Sequence, residues 1–210
     1  MQDKKLWFVI QGPMNFFDDV KNSYNGFSNV IWSTWKNEKG KLKNEKHKVL
    51  SNYPIVSGER NINLQVKTTL EGLKYAKKQG AQYAFKIRSD MRISDLELLV
   101  SKLKFDDTLY FPIYHTHEDG YFVDYFQFGP IDKMIKLWSI PLKFKIFHNK
   151  YPEFYLKENF LKNFKDEKVR YLIPICAQNN IKIYWLKNNV DVTEICSTDS
   201  LYTYKEFNKE

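Results

Sequence analysis

Two carboxylates in this sequence stand where they could do chemistry. Asp90 follows the half-apolar run Tyr83-Ala84-Phe85-Lys86-Ile87-Arg88, with Lys86, Arg88 and Arg92 around it. Nearby cations favour the ionised form of a carboxylate. Past the end of a strand such a group can hold a divalent cation or a ribose hydroxyl while arginines neutralise a diphosphate. The other reading is a turn cap tied to a neighbouring Arg. Asp124 interrupts the aromatic run Tyr121-Phe122-Val123-Asp124-Tyr125-Phe126-Gln127-Phe128-Gly129. A buried acid without a partner is costly. Asp124 is therefore paired, or used as a general base in a desolvated site, or turned to water from an edge strand.

Other constellations carry less. His115 and His117 lie two apart beside Glu118 and Asp119, which has the look of a metal cluster without a third ligand. Cys176 and Cys196 have no companions at metal-ligand spacing and read as two unrelated buried thiols. The turn Gln11-Gly12-Pro13 lacks a glycine-rich cradle, and the chain holds no P-loop and no dinucleotide fingerprint. That removes the main support for ATPase and dehydrogenase readings. A single Gly after a first strand is a tight turn or a place where a nucleotide base approaches the backbone. The rings of Phe122, Tyr125, Phe126 and Phe128 read as core, with some left for an exposed face.

These residues need elements to position them. Leu6 to Ile10 is a continuous block of strand formers ending at the Gln11-Gly12-Pro13 turn, the pattern of a buried parallel strand. Asn29 to Trp35 predicts a second strand, and Val49-Leu50 marks a short third one after a solvated, Lys-rich loop over residues 36–48. Val66, Leu70, Leu73 and Ala76 recur at helical spacing, with Asn61 or Asn63 to cap the start and Gly80 to end it. Residues 83–88 then form a strand. Ser94-Asp95-Leu96-Glu97 has capping-box spacing before a helix buried through Leu96, Leu99, Val100 and Leu103. Thr108 to Ile113 and Tyr121 to Phe128 predict two strands, Pro130 and Pro152 open two helices, and Ile181 to Leu186 predicts a last strand. The alternation gives an α/β class with a mostly parallel, mixed-edge sheet flanked by helices. Residues 1–190 form one domain and 191–210 a loosely packed tail.

Length and charge bound the rest. The 210 residues suit one compact domain, and a chain with 43% hydrophobic and 17% aromatic residues buries few but large side chains. No apolar run approaches the ~20 residues needed to span a bilayer, and Lys4-Lys5 precedes an apolar stretch too short for a signal peptide. The chain is expected to be cytoplasmic. Its net charge of +8 suits nucleic acid, phosphorylated small molecules or an anionic membrane face. A basic RNA-binding module is the rival to an enzyme, yet the Lys-rich segment 36–48 has no aromatic residue and the aromatic segments are poor in Lys. A phosphotransferase or phosphohydrolase at Asp90 lacks a second acid near enough to bind two metals.

Five segments, taken in order, resemble the WavE-type lipopolysaccharide synthesis family: Gln11-Gly12-Pro13, Ser33-Thr34-Trp35, Asn61-Ile62-Asn63-Leu64-Gln65, Lys86-Ile87-Arg88-Ser89-Asp90 and Asp124-Tyr125-Phe126-Gln127-Phe128-Gly129. The likeness covers residues 6–138. It implies a GT-A-like nucleotide-diphospho-sugar transferase fold, with the sugar nucleotide across the carboxyl edge of the sheet. It further implies transfer of a sugar from a nucleotide-sugar donor to a surface glycan such as lipopolysaccharide or capsule. Gln11, Gly12, Pro13 and Trp35 would then lie near the base and ribose, and Asn63 and Gln65 near the phosphates at a helix start. Leu64 stands where the family often has Arg, a role Arg60 could take. Arg88-Ser89-Asp90 replaces an Asp-X-Asp element, so Asp90 alone is left for Mn²⁺ or Mg²⁺, and Arg88 could supply the leaving-group charge. Asp124 would be the base that deprotonates the acceptor hydroxyl, the simpler route being inversion. The partners implied are a donor nucleotide sugar and a glycan or lipid-linked glycan acceptor. Peripheral contact with the inner membrane goes with them, and nucleic acid does not.

Overall fold

The computed structural model describes residues 5–115, 121–143, 152–165, 167–187 and 191–194. The chain runs through β1 (Leu6–Gln11), α1 (Phe17–Asn22), β2 (Val30–Trp35) and β3 (Lys48–Ser51). Next come α2 (Ile62–Lys78), β4 (Tyr83–Arg88), β5 (Met91–Ile93) and α3 (Leu96–Lys102). The middle holds β6 (Leu109–Phe111), β7 (Tyr114–His115), β8 (Tyr121–Phe122) and β9 (Phe126–Pro130). Last are α4 (Ile131–Trp138), α5 (Pro152–Phe164), β10 (Val169–Tyr171), α6 (Leu172–Gln178), β11 (Ile183–Lys187) and β12 (Asp191–Glu194).

Seven strands make the main sheet in the order β10-β6-β9-β4-β1-β2-β3. All neighbours are parallel except β9, which runs antiparallel between β4 and β6. This is the mostly parallel α/β sheet with a mixed side that the alternation of elements predicts. Period-two alternation splits the core in two. Phe8, Ile10, Phe85, Ile87, Phe126 and Phe128 face the layer that contains Leu99 of α3 and Leu172 and Cys176 of α6. Trp7, Val9, Ile31 and Ala84 face Val66 and Leu73 of α2, Met134 of α4 and Phe160 of α5. Gly72 lets α2 lie close on this second face, because a Cβ there would meet Val9 Cγ1 at 2.5 Å. A small antiparallel sheet, β12-β11-β5, closes one side, and β7 pairs with β8.

Several local expectations change. The stretch 121–128 is not one strand: pairing stops after Phe122 and resumes at Phe126, so Asp124 sits in the connection and not within an aromatic strand. The cap of α3 is Asp95, whose side chain accepts from Leu98 N, while Ser94 Oγ accepts from Lys182 N. Asn61 occupies the cap position of α2 in the left-handed region at φ 65° without a side-chain cap bond. The loop 36–48 is polar by composition but anchored inward: Leu42 is fully buried, and Glu38 accepts from Met14 N and Thr34 Oγ1. The segment expected as a tail opens with β12, paired to β11. His117, Glu118, Asp119 and Cys196 lie outside the described residues, whereas Cys176 is buried as a free thiol.

Candidate active site at the carboxyl edge of the sheet

Parallel register puts the ends of three strands side by side: Gln11 pairs with Ser33 on β2 and with Arg88 on β4. Because these residues share one face, their side chains meet below the start of α2. A cavity of about 240 Å³ lies there, lined by Gln11, Gly12, Pro13, Asn15, Phe16, Trp35, Asn61, Leu64, Gln65, Thr68, Arg88, Ser89 and Asp90. Gln11 is fixed by Thr68, whose Oγ1 donates to its Oε1 at 3.0 Å. Gly12 is required by both conformation and space. Its φ is 121°, and a Cβ would meet Ser89 Oγ at 2.7 Å. Ser89 binds the turn from the other side, with N–H to Gln11 O at 2.9 Å and Oγ–H to Pro13 O at 2.6 Å.

Asp90 is held by three donors. Arg88 gives Nε to Oδ1 at 2.9 Å and Nη2 to Oδ2 at 2.7 Å, and Trp185 Nε1 donates to Oδ2 at 3.0 Å. The Arg88 guanidinium packs beside the neighbouring rings of Tyr125 and Trp185, 5.7 and 5.5 Å from their centroids, which are 5.8 Å from each other. Burial works against its charge, but the Asp90 hydrogen bonds and the Asp124 charge prevail and hold its pKa above the ordinary arginine value. The turn-cap and the site readings of Asp90 therefore coincide: it lines the cavity and also ties β4 to the small sheet.

Beneath Arg88 is a buried ionic cluster. Asp124 is 1% exposed, its Oδ1 is 4.0 Å from Arg88 Nη1, and neither carboxylate oxygen has a hydrogen-bond partner. It touches a residue that lines the cavity but does not line it itself. Lys86, fully buried on β4, donates to the Asp124 backbone oxygen and lies 4.6 Å from the Trp138 ring centroid. Desolvation pushes its ammonium down to about 8 against the pull of Asp124. Glu153, in the first turn of α5, is pushed up to about 7 by burial and then by the Asp124 charge, and its Oε2 is buried without a partner. Gln127, opposite Lys86 in the β4–β9 register, leaves Oε1 unpartnered as well.

The remaining expected residues divide. Trp35 lines the cavity and stacks on Tyr53 at 4.4 Å and 16°. Gln65 lines it with its Oε1 unpartnered. Asn63 faces elsewhere: its Nδ2 donates to Val56 O and Lys143 O at 3.1 and 2.8 Å, and its Oδ1 accepts from Lys143 N at 2.8 Å. It is buried, and it joins two segments of backbone. Arg60 is exposed in a left-handed conformation (φ 45°) and is not among the lining residues, so Leu64 at the wall has no Arg in its place. Arg92 lies over Tyr184 at 5.0 Å, away from the cavity. Sequence reasoning missed Glu153 and undervalued Lys86. A lysine inside a strand flanked by Phe85 and Ile87 was the available signal, since a buried ammonium demands a carboxylate nearby.

Divalent metal is poorly served here. Among the described residues no three His, Cys, Asp or Glu side chains group as ligands, and both Asp90 oxygens are taken by Arg88 and Trp185. Among the described residues, no helix is long and apolar enough to cross a membrane.

No protein-family model matches the chain, and no curated protein matches it. Among solved structures it is similar to the 4-diphosphocytidyl-2C-methyl-D-erythritol synthase of Anaerococcus prevotii, at 11% identity and a TM-score of 0.48, over 98% of this chain and 97% of that one. It is also similar to the bifunctional IspDF of Campylobacter jejuni, at 10% identity and a TM-score of 0.42, over 80% of this chain and 43% of that one.

Proposed function

We propose that this chain is a glycosyltransferase of the WavE type, which moves a sugar from a nucleotide-sugar donor to a bacterial-type surface glycan, lipopolysaccharide or capsule. The observation that carries the reading is the cavity at the carboxyl edge, where Gln11, Gly12, Pro13, Trp35, Gln65, Arg88 and Asp90 converge from four separate segments. The strands of an open α/β sheet present ligands at that edge. Its 240 Å³ is less than the roughly 300–1,000 Å³ of a complete small-molecule site. One end of the donor is held inside and the rest projects from the mouth, where an acceptor can reach it.

In this reading the Gln11–Pro13 turn and Trp35 take the base and ribose. The N–H groups at the start of α2, with Gln65, face the phosphates. Arg88 is the cation at the leaving group, oriented by Asp90 and packed against two rings, so its position costs no reorganisation during transfer. Asp124, buried beneath Arg88 with no hydrogen bond to either carboxylate oxygen, takes the acceptor proton by way of a bridging water, and Glu153 beside it, pushed up to about 7, can relay that proton outward. The described residues do not fit a divalent cation.

A thermal-shift panel of UDP-, GDP-, CMP- and ADP-linked sugars, with and without Mn²⁺, tests this. A ligand at a hundredfold excess over its dissociation constant stabilises by about 2.7 kcal/mol. A shift with one nucleotide class, lost in Arg88→Lys, is expected, because Lys cannot reproduce the planar bidentate contact. No shift with any sugar nucleotide in either condition would refute the reading.

A further inference from the structure

Four of the five large hydrophobic side chains exposed among the described residues lie on two segments that the fold joins, and one of them, Tyr53, stacks on the cavity-lining Trp35. Tyr53, Ile55 and Val56 are 54%, 96% and 36% exposed, and Leu142 is 41% exposed; the fifth, Leu161, lies on α5. They come from two segments 80-odd residues apart, and Asn63 is what joins them. Its side-chain amide binds the backbone of Val56 and of Lys143 at once, which brings Leu142 alongside the 53–56 loop. Single exposed apolar residues are ordinary on a protein surface, but a joined group marks an interaction site.

Two exposed lysines stand beside this group, and the nearby acid Glu71 is held by Ser51 and Lys67. Trp35 pairs with Ser51, so the turn that starts at Lys36 runs next to the loop that leads to Tyr53. Lys36 and Lys39 are exposed on that turn, while its acid, Glu38, is spent inward on Met14 N and Thr34. An aromatic with a polar tip, an isoleucine almost wholly in solvent and two outward lysines form the pattern of a bilayer interface. A protein partner would bury an apolar centre within a polar rim; here the lysines lie to one side.

We propose that Tyr53, Ile55, Val56 and Leu142, with Lys36 and Lys39, dock this face on an anionic lipid surface. Ile55 and Val56 enter the headgroup boundary, Tyr53 sits at its level, and the lysines meet lipid phosphates. Tyr53 stacks on Trp35, which lines the cavity, so docking sets the mouth at the membrane. That this delivers a lipid-linked acceptor rests on the transferase reading; the docking itself does not.

The test is cosedimentation of the full chain with vesicles of phosphatidylglycerol and phosphatidylcholine, against vesicles of phosphatidylcholine alone. The wild type is expected to bind the anionic vesicles, and less well as salt rises. Each of Lys36→Gln and Lys39→Gln should weaken binding by about fivefold, and Ile55→Asp by about tenfold or more. These positions are exposed, and unchanged urea melts would confirm that each variant folds. Failure of the wild type to bind, or equal binding by the variants, overturns the proposal. So does a wild-type dimer in light scattering that Ile55→Asp converts to monomer, which would identify the occupant as a second copy. The donor panel run on Ile55→Asp separates the two readings: a retained nucleotide shift with lost vesicle binding is the expected pair. An absent shift in the wild type with vesicle binding intact would refute the transferase and leave the docking.

Discussion

Replacing Glu153 with Gln removes one titrating proton from the buried cluster while keeping its shape, and the structure sets the sign and size of the effect. Burial and then Asp124 push the Glu153 carboxyl from 4.5 up to about 7. Between those values the folded chain holds a proton that the unfolded chain has released, so stability falls as pH rises through the window. Below it both states are protonated and there is no penalty; above it the penalty is complete. At about 1.4 kcal/mol per pH unit the ceiling is about 3 kcal/mol, and water at a half-buried carboxyl lowers it to about 1–3 kcal/mol. Lys86 acts in the opposite sense at higher pH. Its ammonium is pushed from 10.5 down to about 8, so the folded state sheds a proton that the unfolded state keeps, and stability climbs between those values. The wild type should therefore show a minimum between the two windows, at about pH 7–8. Urea midpoints from about pH 4 to 9 provide the assay. Glu153→Gln should match the wild type at the acid end and exceed it by about 1–3 kcal/mol at pH 8. Parallel curves, or a variant that is weaker at pH 8, would show Glu153 to be an ionised partner of Lys86 or Arg88, and would refute the reasoning.

Three further outcomes follow from the geometry. Asp124→Asn should lose turnover by about a hundred- to ten-thousandfold and keep donor affinity within a few fold, measured by transfer to acceptor against donor binding. Full activity in that variant would remove Asp124 from the chemistry. Asp90→Asn breaks the paired grip on Arg88 and one of its bonds in the β4–β11 link, so it should cost about 1–3 kcal/mol in denaturant melts and weaken donor binding; unchanged values of both would show the node to be idle. Gly12→Ala forces φ 121° on a residue with a Cβ and sets that Cβ against Ser89 Oγ. It should cost about 1–3 kcal/mol and abolish the nucleotide thermal shift.

The sheet was readable because its signals are local and strong. Leu6 to Ile10 is unbroken apolar sequence before a Gly-Pro turn, and the stripe of α2 repeats over a helix of 17 residues. What escaped was short or set by distant partners. α1 has six residues, two of them Asp, and α6 carries Pro174 inside its seven. β5 and β10 have three residues each and exist because β11 and β6 pair with them. The aromatic run through Asp124 looks like one strand because period-two alternation does not show where a ladder stops. At the site, the strand ends could be placed from sequence: Trp35 and Arg88 each close a predicted strand, Gln11 opens the turn after another, and parallel pairing brings them together. The roles of Asn63 and Glu153 could not. Asn63 reads the same whether it meets a phosphate or staples Val56 to Lys143, and Glu153 gains its character only from the fold-made nearness of Asp124.

The antiparallel insertion of β9 has a consequence for how the chain emerges during synthesis. β1, β2, β3 and β4 can pair as soon as residue 88 is made, but β9, which covers the other side of β4, begins 38 residues further on. At about 5–20 residues per second, that edge stays open for roughly 2–8 s, presenting Phe85 and Ile87 on a bare strand. Lys86 lies between them. An inward-pointing charge on an uncovered strand repels a stray strand from another nascent chain, since burying it without a carboxylate is unaffordable. Its rightful partner, Asp124, which gives both a backbone oxygen and a carboxylate charge, arrives only with the segment that closes the edge, so the lysine that guards β4 early becomes the lysine that certifies correct closure later.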